Sequence, residues 1–121
     1  MRMDVKFPIF VFEKDDHSMY LVEELSRLLY HLEAIDIENG EYVFWDSTGA
    51  GVCVTVARNA IDQISACNQP MSLSEAFEAY SESLAIRTDP QGPPIEVWRR
   101  IQSQIPKRTS FWRRLFAKTH S

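Results

Sequence analysis

Asp15, Asp16 and His17 set two carboxylates and an imidazole side by side, the residue types that ligate a divalent metal or exchange protons in general acid–base chemistry. Consecutive residues rarely converge on one ion, and the same trio serves equally as a polar turn that caps a helix. DSTGAG, Asp46 to Gly51, has the glycine content of a loop whose amides cradle a phosphate. Such loops feed a helix N-terminus, whereas a valine-rich strand pattern follows here, so the segment reads as a hairpin turn. As a nucleophile, Cys53 or Cys67 would need His17, His31 or His120 beside it, and no spacing brings one there. Both cysteines lie in apolar segments where unpaired buried thiols are expected, although their spacing leaves a disulfide open. No metal, cofactor or catalytic residue is assigned. The chain reads as non-enzymatic, with a small enzyme built around His17 and nearby carboxylates as the last alternative.

Charge layout is more informative. The 121 residues carry a formal charge of −4, but residues 1–94 hold six Lys or Arg against sixteen Asp or Glu, while residues 95–121 hold seven against one. Glu33, Asp36, Glu38, Glu41 and Asp46 crowd a stretch with no Lys or Arg between Arg27 and Arg58. A contiguous acidic face of this kind speeds encounter with a basic protein and rejects nucleic acid, making these five residues the candidate partner-binding set.

The elements that position them follow from periodicity. KFPIFVFE, Lys6 to Glu13, alternates Phe7, Ile9 and Val11 with Phe10 and Phe12, the pattern of a central strand covered on both faces. MYLVEELSRLLYHLE has leucines at 21, 25, 28, 29 and 32, the spacing of a long amphipathic helix. EYVFWD and VCVTVA read as strands joined through STGAG, with ENGE as a turn before them and IDIE as a further short strand. RNAIDQISACNQP suits either a helix or an edge strand. Ser72 and Glu75 form a capping box ahead of Leu73, Phe77, Tyr80 and Leu84 on one helical face. After the proline-rich TDPQGPPIE, Pro94 opens a helix with Ile95, Trp98, Ile101 and Ile105 as its apolar stripe. The fold class expected is α+β, a small, mainly antiparallel sheet with helices packed on one side. Residues 1–89 form an acidic core and residues 90–121 a proline-rich linker with a basic helical tail, in a single domain.

The tail, PKRTSFWRRLFAKTHS, gathers Phe111, Trp112, Leu115 and Phe116 on one helical side and Arg113, Arg114 and Lys118 on the other. Its nearest large anion is its own domain, and a tether supplies an effective concentration on the order of millimolar, so self-docking is expected ahead of a membrane surface or scaffold. No apolar run reaches the eighteen or so residues of a membrane span, and the N-terminus lacks the pattern of a secretory leader, so a cytoplasmic location is expected.

LEAIDIENGEYVFWDSTGAGVCVTV, Leu32 to Val56, resembles a segment of small uncharacterised proteobacterial proteins, some of them similar to immunity proteins encoded beside secreted toxins. The likeness spans about residues 6–58 and carries over no functional residue. It implies a non-enzymatic binding protein, an immunity protein occluding a basic toxin through its acidic face. A membrane-surface or scaffold adaptor using the tail is the alternative.

Overall fold

The computed structural model describes residues 5–105. Five strands form one antiparallel sheet in the order β2-β1-β3-β4-β5. They are β1 (Ile9–Glu13), β2 (Met19–Val22), β3 (Tyr42–Trp45), β4 (Gly51–Ala57) and β5 (Ala60–Ala66). A 3-10 turn at Leu25–Arg27 leads into α1 (Leu28–His31) and α2 (Ala34–Glu38); α3 (Leu73–Ser83) and α4 (Pro94–Gln104) follow the sheet. This is the expected α+β class.

Side-chain alternation along β1 divides the core in two. Phe10 and Phe12, with Met19, Val43 and Trp45, face α3 and α4, where Leu73, Ala76, Phe77, Tyr80, Val97 and Ile101 complete a buried cluster. Phe10 meets the Phe77 ring edge-on at 5.4 Å, and Trp98 stacks on Tyr80 at 5.9 Å. Ile9 and Val11 point the other way, joining Val22, Phe44, Val52 and Ile64 beneath Leu28, Leu32 and Ile37. The two long helices thus share one face, as expected, while short helical pieces cover the other. That second layer is required because β1 is apolar on both faces.

Two local expectations are corrected, and one left open between helix and edge strand is decided. The leucine-periodic stretch from Met19 is not one helix: Met19–Val22 pairs with β1 in the register Ile9↔Val22 to Phe12↔Met19. The hairpin closes at Glu13 N to Ser18 O, 2.9 Å, and Asp16 accepts from the Ser18 amide at 2.9 Å, so Asp16 closes a turn instead of capping a helix. Ladder pairing buries Met19 and Val22 on opposite faces, which a helix at this position would not do. IDIE, expected as strand, lies in α2, stopped where Gly40 adopts φ +73 and donates to the Ile37 carbonyl. The ambiguous segment after Arg58 is β5, an edge strand entered through a two-residue turn in which Arg58 (φ 53) and Asn59 (φ 63) both take the positive φ of a type I′ hairpin. The Ser72–Glu75 capping box and Pro94 in the first turn of α4 form as expected.

Cys53 and Cys67 form a disulfide with Cα atoms 5.7 Å apart, replacing the expectation of two isolated buried thiols. In the β4–β5 ladder Cys53 faces Ser65, and the Cys67 amide donates to the Gly51 carbonyl at 3.0 Å. Cys67 is therefore offset by two residues from Cys53's direct partner. The strand approach here is so close that a Cβ on Gly51 would overlap the Cys67 carbonyl oxygen, which explains a glycine at the start of β4.

Candidate functional site

Strand pairing assembles an acidic end of the sheet. Glu13, at the end of β1, stands opposite Tyr42 of β3, and the next amide, Lys14, donates to the Glu41 carbonyl at 3.0 Å. These bonds lay the β1–β2 turn, with Asp15 and Asp16, against the α2–β3 connection, where the Glu41 amide donates back to the carbonyl of Asp36 in α2 at 3.1 Å. The carboxylates then interact. Burial raises the pKa of Glu13, and Asp16, Asp15 and Asp36 add to the rise against a hydrogen bond from the Tyr20 hydroxyl at 3.3 Å. Glu41 is raised chiefly by a hydrogen bond shared with Asp36, then by burial and by the charges of Asp36 and Asp15. Tyr42 titrates well above the usual tyrosine range because of burial and of Glu13 and Asp36. Among the described residues, the ion pairs Glu24–Arg27 and Glu96–Arg100 both lie away from this end.

Burial of Glu13, the hydrogen bond between Glu41 and Asp36, and the neighbouring charges together have a testable sign. Carboxyls with folded pKa values above the ordinary 4.5 stabilise the fold only while protonated, and that contribution is lost as pH rises through their folded values. Glu13→Gln and Glu41→Gln are therefore expected to raise the melting temperature at pH 7 and to leave it unchanged near pH 3. Added salt should narrow the gap by screening. Thermal melts across pH 3–8 check this, and equal melting of both variants and the parent at pH 7 would refute the cost of ionising these carboxyls in the fold.

Of the five residues singled out in the sequence, Asp36 and Glu41 join the acidic end. Glu33 and Glu38 stand exposed at the two ends of α2. Asp46 does not belong to a partner-facing set, because it is 5% exposed and its carboxylate is committed internally. Its Oδ1 accepts from the Thr48 amide (2.9 Å), the Thr48 hydroxyl (2.6 Å) and the Ala50 amide (3.2 Å), and its Oδ2 from the Lys6 amide (3.4 Å). Burial alone would raise its pKa, but those donors outweigh burial and hold it below the usual value of 3.8. Of the DSTGAG amides that a phosphate loop would use, those of Thr48, Gly49 and Ala50 donate to Asp46 and that of Ser47 donates to the Lys6 carbonyl. Asp46→Ala is expected to cost about 2–3 kcal/mol at pH 7, because it strands buried donors. The parent should lose this contribution as pH falls below 3.8 and through the lower folded value, so urea melts of the two should converge in acid.

The other candidates resolve structurally. His17 stacks on Phe12 at 5.5 Å, and among the described residues no group of three His, Cys, Asp or Glu side chains is placed to hold a metal ion. Cys53 and Cys67 are consumed by their disulfide, while the His31 side chain and His120 lie outside the described residues. Phe111, Trp112, Arg113, Arg114, Leu115 and Phe116 also lie outside them. Among the described residues, no helix is long and apolar enough to cross a membrane.

Sequence reasoning missed Glu13, Asp15 and Asp16 as members of the acidic set, because only the β1–β3 register reveals that they meet Asp36 and Glu41. It also missed Tyr30 and Ile35, which are 79% and 58% exposed on the short helical layer. Arg27 lies over the Tyr30 ring at 5.6 Å from its centroid. Comparison of the chain with protein-family models, curated proteins and solved structures finds no match in any of the three.

Proposed function

We propose that the protein is a non-enzymatic binding protein whose acidic end docks the basic surface of a partner protein, in the manner of an immunity protein occluding a basic toxin. The convergence of Glu13, Asp15, Asp16, Asp36 and Glu41 carries this reading, because Glu13 and Glu41, raised in part by the charges of the neighbouring aspartates, gain from a cationic partner that offsets those charges. Tyr30 and Ile35 support it: exposed apolar side chains close in sequence to acidic residues are the composition of an interface anchor with a charged rim.

Affinity purification of the tagged chain from its native host at low salt tests the proposal. A basic protein should be recovered, and Asp36→Lys with Glu41→Lys should slow its association on the order of ten- to a hundredfold, with the difference shrinking as salt rises. Recovery of no partner, together with unchanged toxin tolerance when the gene is deleted, would sink it. Cytoplasmic residence requires the Cys53–Cys67 pair to be reduced in the cell, since disulfides persist in oxidising compartments. Alkylating free thiols at harvest and weighing the intact protein decides between a reducing and an oxidising location.

A further inference from the structure

A groove of about 490 Å³ runs along α3 at the border of its buried cluster, closed by the connection to α4. Its floor is apolar, made by Phe77 of α3, Val97 of α4, and Ile86 and Pro90 between them. Glu75, Glu78 and Glu82 border it from α3, and Arg87 is the basic residue in its wall. Glu75 is engaged with Ser72 in the capping box, accepting from the Ser72 amide at 3.3 Å and its hydroxyl at 3.2 Å. Glu78 and Glu82 are exposed, and neither enters the ion pairs found among the described residues.

We propose that this groove receives the chain's own C-terminal segment, residues 106–121, with Phe111, Trp112 and Phe116 on the apolar floor and Arg113 and Arg114 opposite Glu78 and Glu82. Reach permits it. The described chain ends at Ile105, one residue past α4, whose first turn contributes Val97 to the groove. Eight helical residues separate the two, about 12 Å, while six residues of extended chain carry Phe111 up to about 20 Å from Ile105.

Charge and apolarity together select this groove over the acidic end of the sheet. Residues 106–121 bring five Lys or Arg and no Asp or Glu, so either anionic surface attracts them. Phe111, Trp112, Leu115 and Phe116 need apolar cover as well. At the acidic end the interacting groups are carboxylates and tyrosine hydroxyls, with Tyr30 and Ile35 standing exposed on the neighbouring short helices, whereas the groove sets Glu78 and Glu82, outside the ion pairs found among the described residues, beside a recessed apolar floor. Tethering then favours the chain's own segment over a free competitor of similar affinity, at an effective concentration on the order of millimolar. The proposal is independent of the binding function assigned to the acidic end.

Backbone hydrogen exchange on the full-length protein tests it. Amides of residues 111–116 should exchange about tenfold or more slowly than in full-length Glu78→Lys/Glu82→Lys, whose substitutions are at exposed positions of α3. Arg113→Glu/Arg114→Glu should lose the same protection without touching the folded core. Combining all four substitutions should restore it, because the charges again oppose. Equal exchange in the parent and both double variants would overturn the proposal. Protection that grows with protein concentration would overturn it in favour of a second copy as occupant, and protection that appears only with phosphatidylglycerol vesicles would do so in favour of a membrane surface.

Discussion

Breaking the Cys53–Cys67 disulfide is expected to lower stability by about 3 kcal/mol, the chain-entropy cost of opening a loop of this length, whose cysteines are 14 residues apart. The cross-link acts on an edge strand that is held by its ladder to β4 and by little burial. β5 is the last strand of the sheet, and among its residues Ile64 alone is buried. From Cys67 the chain leaves the sheet for α3, and the disulfide holds the start of that connection against β4. The Gln69 side-chain amide donates to the Val52 carbonyl beside it. Urea melts with and without a phosphine reductant, and of Cys53→Ser/Cys67→Ser, should show a midpoint lower by about 1–3 M. Superimposable melts would show that the β4–β5 hairpin stands without its cross-link.

Trp45→Ala should cost about 3–5 kcal/mol, at the upper end of single core truncations. Trp45 is fully buried between the sheet and α3, and its indole N–H donates to the Met71 carbonyl at 3.2 Å. Met71 immediately precedes the α3 cap Ser72, so this bond fixes the far end of the connection that the disulfide fixes at its near end. Trp45→Phe keeps most of the apolar contact and loses the donor, for an expected cost of about 1–2 kcal/mol. Because both anchors hold one segment, a double-mutant cycle between Trp45→Phe and the paired cysteine substitutions should depart from additivity by about 1 kcal/mol. Strict additivity would mean that residues 67–72 are not held as a unit.

Features governed by near neighbours were legible from residue order. The capping box at Ser72, the proline start of α4 and the two-faced apolar strand β1 each depend on contacts or periodicities within a few residues, and each forms. The leucine run after Met19 was misleading for the opposite reason. Its spacing satisfies a helix locally, but residues 19–22 gain ladder hydrogen bonds and two buried faces by pairing with β1. Arg58 and Asn59 concealed the β4–β5 turn, since asparagine accepts positive φ readily and arginine does not advertise it.

The candidate site divides along the same line. The excess of carboxylates over the first 94 residues is a property of composition and needs no fold. Their meeting does need one: Glu13 approaches Asp36 and Glu41 only because β1 and β3 run antiparallel in the register Glu13↔Tyr42. Asp46 shows the converse, a charge whose sequence neighbours suggested exposure and whose backbone donors, one of them 40 residues away at Lys6, draw it inside. Residue order by itself determined which segments are apolar on one face or two, where helices can be capped, and how charge is shared along the chain, because those depend on side chains a few positions apart. Tertiary structure alone decided which carboxylates repel one another, which is buried, and that Cys53 meets Cys67, because each depends on pairing between segments whose separation in sequence leaves the register open.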